Sequence, residues 1–172
     1  FDENLVRESL EKTGLSEFYN KYGTGGFLYR DFEEGGIEIS GGEAQKIAMS
    51  RAIYHGGKFF VLDEPTAGLD PAGRKELMEI FQGLHEDGMT IVLVTHLMDD
   101  VANFADTTYV LEMGHLVKSG SPKDIFQDVE FMEKIQLGVP KITKFAQGLV
   151  EKGLNLPNLP ITITEFKEIL HG

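Results

Sequence analysis

Apolar residues fall along this chain in two rhythms, and the change from one to the other marks the elements. Phe59-Phe60-Val61-Leu62 and Ile91-Val92-Leu93-Val94 are unbroken apolar runs of strand length. That is the pattern of parallel strands covered on both faces, where a surface strand would alternate. Between them Leu77, Ile80, Phe81 and Leu84 recur at helical spacing, after Asp70-Pro71 as cap and first helical residue. Strand, helix and strand in this order predict a right-handed crossover, with both strands parallel and their carboxyl ends on one edge.

The rest of the pattern is mostly helical. Asp2 can cap a helix with Leu5, Val6 and Leu10 on one face and Gly14 at its end, and a shorter helix follows from Ser16. A third is predicted from Ser40 to about Tyr54, where Ala44, Ile47, Ala48 and Ala52 repeat. The glycine-rich stretch from Gly23 to Gly36, with Phe27, Tyr29 and Phe32 interleaved, reads as an extended loop packing its rings locally. Downstream, Met98, Val101 and Ala105 share a helix face, and strands over 108–113 and 115–119 turn at Gly114. Ser121-Pro122 starts another helix. From Glu130 onward, helix starts at Pro140 and Thr164 flank Leu156-Pro157-Asn158-Leu159-Pro160, where proline breaks the run. Ile142, Phe145, Ala146 and Leu149 form one apolar stripe there, and Phe166, Ile169 and Leu170 another.

Composition narrows the class. At 172 residues, 41% hydrophobic and 26% charged, this α/β pattern sits in a chain of globular profile, long enough for one good core or for a core with an appendage. Its 16 Lys and Arg against 28 Asp and Glu give a net charge of -12, which disfavours nucleic acid, so a phosphate ligand must be held by local geometry. Cysteine is absent, which excludes disulfides and thiolate metal sites and fits a reducing compartment. No apolar run approaches the roughly 20 residues that span a bilayer, and Phe1-Asp2-Glu3 is unlike a signal peptide. A soluble or membrane-peripheral protein is expected.

Two stretches carry candidate chemistry. Asp63 and Glu64 follow the first apolar run, at the strand end where open α/β sheets place ligands. Adjacent acids there can divide labour, one holding a hydrated cation and the other polarising a water; they can also be no more than an acidic loop start. At the other stretch, Ser40 and Glu43 have the spacing of a capping box. That leaves Gly41 and Gly42 unexplained, because glycine weakens a helix start, whereas bare amides at a positive helix end form an anion site. His96 ends the second strand, on the edge that the crossover assigns to Asp63 and Glu64, although a histidine after a strand is often only capped or solvated.

Ser40-Gly41-Gly42, then Phe59 to Asp63 with Glu64, then Ala67 to Asp70, then His96, in this order, resemble the ATPases of ABC transporters. They match the signature motif, the Walker B strand with its catalytic glutamate, the D-loop and the switch histidine. Ile39 and Glu43 replace the usual Leu and Gln. The resemblance implies a partial P-loop NTPase-like parallel sheet, a helical signature subdomain and a helical C-terminal extension, divided as 1–57, 58–122 and 123–172. It also implies ATP and Mg2+ as ligands. Asp63 would order the metal, Glu64 would activate the attacking water and His96 would contact the terminal phosphate. Ser40, Gly41, Gly42 and Glu43 would clasp the ATP of a second ATPase subunit, with Asp70 linking the two sites.

From Thr90 onward the chain looks most like the ATPases of energy-coupling-factor transporters, which import vitamins and metal ions, whereas the residues before Walker B look more like an ABC exporter. Transmembrane transporter subunits and a peripheral place on the cytoplasmic face of the cell membrane are implied, and in such transporters the C-terminal extension helps the ATPase subunits pair. The resemblance covers only the second half of the family's domain. No Gly-x-x-x-x-Gly-Lys-Ser/Thr string occurs, Gly57-Lys58-Phe59 being the nearest approach, and Phe81-Gln82 and Phe126-Gln127 lie on the wrong side of the signature for a Q-loop. The chain alone is therefore expected to be inactive. A non-transport ABC protein and a non-catalytic dimerisation fragment stand as alternatives.

Overall fold

The computed structural model describes residues 2–25 and 37–171; most of the expected aromatic loop, residues 26–36, lies outside the described residues. The chain divides into two compact units, Phe1–Val94 and Thr95–Gly172.

The first unit contains α1 (Glu3–Lys12), α2 (Ser16–Tyr22), α3 (Gly41–Tyr54), β1 (Phe59–Asp63), α4 (Pro71–Glu86) and β2 (Thr90–Val94). β1 and β2 pair in parallel with Phe59 opposite Thr90 and Asp63 opposite Val94. Helix α4 lays Leu77, Met78, Phe81 and Leu84 into a core with Met49 of α3, against which Leu62, Ile91 and Leu93 pack. Within these residues the core covers one face of the pair. Phe60 is buried, but Phe59 and Val61 are 63% and 62% exposed, and Val92 and Val94 are exposed beside them. An unbroken apolar run reports that both faces are apolar; it does not report which elements lie on them.

The face that α1 turns inward also differs from the apolar one expected. Of the expected face, Val6 and Leu10 are half-buried and Leu5 is exposed, while the fully buried residues are Ser9 and the C-cap Thr13. Ser9 Oγ donates to the Leu5 carbonyl, and the Thr13 and Ser50 hydroxyls lie 2.6 Å apart across the α1–α3 contact. Small hydroxyls satisfied by the preceding turn let two helices approach closely without orphaned polar groups. On α3 the buried residues are Lys46, Met49 and Ser50, whereas Ala44, Ile47, Ala48 and Ala52 line a shallow open depression of about 450 Å³.

The second unit contains α5 (Met98–Phe104), β3 (Thr108–Glu112), β4 (His115–Gly120), α6 (Pro122–Phe126), α7 (Val129–Lys134), α8 (Lys141–Glu151) and α9 (Ile163–His171). β3 and β4 are antiparallel about Met113 and Gly114, both with positive φ, as a two-residue hairpin turn needs. Its core joins Val110, Ile125, Phe126, Met132 and Ile161. The proline-broken linker is clamped from two sides. Gln127 donates to the Leu159 carbonyl at 2.7 Å and accepts the Leu159 N–H at 3.1 Å, and Thr143 Oγ1 donates to the Pro160 carbonyl at 2.8 Å. Lys123 pairs with Glu165 at 2.9 Å, and the same carboxylate accepts the Ile161 N–H. Among the described residues no helix is long and apolar enough to cross a membrane.

Candidate functional site

The first turn of α3 is built as the Ser40 and Glu43 spacing predicts. Ser40 Oγ accepts the Glu43 N–H at 3.2 Å, and Glu43 Oε2 accepts the Ser40 N–H at 2.7 Å. These bonds, the Ser40 amide first and its hydroxyl next, hold the Glu43 carboxyl below the usual carboxylate range; burial opposes them, and the charges of Lys46 and Lys21 add to them. The capping box is therefore present, and it engages one oxygen of the Glu43 carboxylate. It does not explain the glycines. A Cβ at Gly41 would meet nothing within 4 Å, and one at Gly42 would meet only Leu69 Cδ2 at 3.6 Å, an ordinary contact. Packing within this unit does not demand bare backbone at either position.

Where β1 ends, the chain turns sharply. Asp63 is exposed and Glu64 half-buried. Glu64 sits in the left-handed region at φ 45, its N–H donating to the Val94 carbonyl at 2.9 Å and its own carbonyl accepting the Ala67 N–H at 3.0 Å. Pro65 and Thr66 are buried beneath the turn, which leads through Ala67 and Gly68 to Asp70. Asp70 caps α4 by accepting the Gly73 N–H at 2.8 Å, and a Cβ on Gly73 would come within 2.9 Å of that carboxylate oxygen. Glycine is required there by the cap itself.

These two pieces line one open cleft of about 780 Å³, with Ser40, Gly41, Gly42 and Glu43 on one side and Ala67, Gly68, Leu69 and Asp70 on the other. The turn between α1 and α2, at Gly14 and Leu15, completes its wall. Gln45 lines the cleft too, and its buried Oε1 has no hydrogen-bond partner among the described residues. The site residues expected from the sequence thus fall into groups. Ser40 to Glu43 share the cleft with Asp70, while Asp63 and Glu64 stand at the carboxyl end of β1. His96 is an exposed residue of the second unit, two positions after β2.

Sequence reasoning passed over Lys46 and Glu76, which also line the cleft and pair at 2.6 Å. The signal was available. Lys46 lies three and four residues before Met49 and Ser50, so a charge shares the helix face of the core. Among the described residues no group of three or more His, Asp or Glu could hold a metal by itself. An exposed strand-end carboxylate such as Asp63 suits Mg2+, which keeps several waters and takes one or two carboxylates together with substrate phosphates.

Comparison with known proteins follows this geometry. The family model described as ABC transporter matches residues 1–67. The chain is 58% identical over 170 residues to the energy-coupling factor transporter ATP-binding protein EcfA2 of Streptococcus sanguinis strain SK36, and 56% identical over 171 residues to that of Streptococcus agalactiae serotype Ia. Each likeness covers 99% of this chain and 57% of the relative, so the chain spans little more than half the length of these relatives. Both its N-terminal and C-terminal parts take part in that likeness. Among solved structures, cbiO1 from Clostridium perfringens, part of the ABC transporter complex cbiONQ, is similar with a TM-score of 0.60 at 26% identity, over 85% of this chain and 52% of that one. An ATP-binding cassette of an ABC transporter in its ADP conformation gives 0.61 at 26% identity, over 80% and 52%. With its capped Ser-Gly-Gly turn and its parallel β1–β2 pair ending in two acids, the chain is similar along nearly all of its length to ATP-binding subunits of ABC transporters.

Proposed function

We propose that this chain is the signature-bearing and Walker B-bearing part of an ATP-hydrolysing subunit of an energy-coupling-factor transporter. In this reading the subunit powers uptake of a vitamin or metal ion from the cytoplasmic face of the membrane, paired with a second ATPase subunit and docked on transmembrane subunits. The carrying observation is the cleft that Ser40–Glu43 and Ala67–Asp70 line together, at glycines whose own surroundings leave room for side chains. Bare amides at the start of α3 then serve a ligand from outside this unit, as a helix N-terminus serves a phosphate. Residues 1–57 present that signature, 58–122 carry the catalytic carboxylates and His96, and 123–172 form a helical extension for pairing.

Asp63 would hold Mg2+, which supplies positive charge against the phosphates when bound. Glu64 accepts the proton of the attacking water, and the strand-end turn fixes where its backbone stands. His96 donates to the terminal phosphate, and Asp70 keeps the D-loop in register with α4. Without a phosphate loop of their own, these 172 residues hold only part of each nucleotide site and are not expected to turn over ATP unaided.

Two substitutions in the full-length protein, assembled with its partners, test the reading together. Glu64→Gln should slow ATP hydrolysis by roughly 100-fold or more while ATP-bound pairing persists, because only water activation is lost. Gly42→Asp should leave the melting temperature nearly unchanged and abolish ATP-driven pairing, since a carboxylate at the helix start repels phosphate. A steep loss of melting temperature in Gly42→Asp with pairing intact would reduce the Ser-Gly-Gly turn to a cap.

A further inference from the structure

Lys46 is a lysine on the core side of α3. Its side chain is 10% exposed, and its ammonium meets one carboxylate oxygen of Glu76 on α4 at 2.6 Å, while Glu76 itself is 55% exposed. Lysine is almost never so deeply buried unless paired. The pair lies one helical turn beyond Gly42, on the helix whose first turn presents the Ser-Gly-Gly amides. On the α4 side, Glu76 lies six residues beyond Asp70, which ends the D-loop and caps the helix. A second contact runs in parallel with the ion pair. Leu69 of the D-loop packs on Gly42, 3.6 Å from where a Cβ would stand.

Further features converge on the pair. The charge of Lys46 is felt at Glu43, the carboxylate that closes the capping box. The Lys46 carbonyl accepts the Ser50 hydroxyl at 2.8 Å, and Ser50 in turn meets Thr13 of α1. On the other side of the pair, Glu76 Oε1 lies beside Gly14 at the wall of the cleft, 3.7 Å from where a Cβ would stand. A buried cation with one fixed partner can take up few alternative positions, because moving away strands an unpaired charge in the core. The Lys46–Glu76 pair therefore fixes the distance between the first turn of α3 and the first turns of α4.

We propose that Lys46 and Glu76 are positioning residues that hold the signature amides in register with the D-loop, and so set how readily ATP closes the paired subunits. This rests on the nucleotide reading above. The pair touches no reacting atom, so its loss should act on assembly of the site and spare the chemical step once the site is full.

The test uses the full-length protein assembled with its ATPase and membrane partners, as Lys46→Met, Glu76→Gln and the double variant, with turnover against ATP concentration and melting temperature measured for each. Each single change should raise the half-saturating ATP concentration about tenfold with kcat within about threefold, and the double should match the worse single, as expected for residues acting as one unit. Glu76→Gln, which leaves a buried cation unpaired, should lower the melting temperature more than Lys46→Met, which leaves only a half-exposed carboxylate. Half-saturation unchanged in both singles while the melting temperature falls would make the pair merely structural and overturn the inference. So would effects that multiply in the double, or equal losses of kcat. If Lys46→Met does not fold, Glu76→Gln alone decides by the same split. Absence of turnover in the unsubstituted complex would overturn the nucleotide reading and this inference with it, whereas turnover with unmoved half-saturation overturns the inference alone.

Discussion

Glu64 occupies a backbone conformation that side-chain-bearing residues avoid, at φ 45, and it is kept there by a hydrogen bond on each side of its peptide. A left-handed residue other than glycine costs roughly 1–2 kcal/mol, and such outliers persist where the surroundings over-determine them, often at functional turns. The strand-end turn thus spends stability to place one carboxylate. Replacing it with glycine removes the strain and adds about 0.5–1 kcal/mol of chain entropy in the unfolded state. The net expectation for Glu64→Gly is a gain of up to about 1 kcal/mol in urea unfolding and, under the proposed function, loss of ATP turnover in the assembled full-length protein. Glu64→Gln keeps the strain and should leave the unfolding midpoint where it was. A Glu64→Gly protein less stable than its parent would mean that the turn is unstrained at this residue.

At the scale of elements, the start of α3 joins stability to pH. The Glu43 carboxyl is held below its ordinary range by the Ser40 amide and hydroxyl, so folding favours its ionised form. The contribution is complete above the ordinary carboxylate range and is lost as pH falls through the depressed value. Glutamine can close the same box without titrating. Glu43→Gln should therefore lie below the unsubstituted protein near pH 7, show a smaller fall in unfolding midpoint between about pH 5 and pH 3, and converge with it in acid. Parallel midpoints throughout would detach the box from acid stability. The caps at Ser40, Asp70 and Ser121 were legible in the sequence because a cap is a local contract between residues three apart. The apolar face of α4 was legible because it faces one core. The inward face of α1 was not, since Ser9 and Thr13 are buried by the approach of another helix and carry no apolar signal. α7 was missed because six residues give periodicity too little length to register. The shared cleft was half legible: the Ser-Gly-Gly turn and the stretch from Ala67 to Asp70 could be named, but Lys46 and Glu76 declare themselves only when two helices distant in sequence meet.

For these 172 residues taken by themselves, the bare side of the β1–β2 pair has a colloidal consequence. Phe59, Val61, Val92 and Val94 form an apolar strip open to water, and two short strands leave peptide edges beside it. What opposes self-association of such a strip at neutral pH is long-range repulsion, since the 172 residues carry a net charge of -12 with an isoelectric point near 4.8. Repulsion of this kind is screened within about 10 Å at 0.1 M salt, whereas contact between apolar strips is not. Light scattering from these residues in dilute buffer should stay low near pH 7, then rise with added salt and as pH approaches the isoelectric point. Val61→Thr with Val92→Thr, which keep β-branched side chains on the strands, should move that rise to higher salt. An unshifted onset would place the sticking surface elsewhere; a shifted one would make the chain's acidity the dispersant of its own open strands.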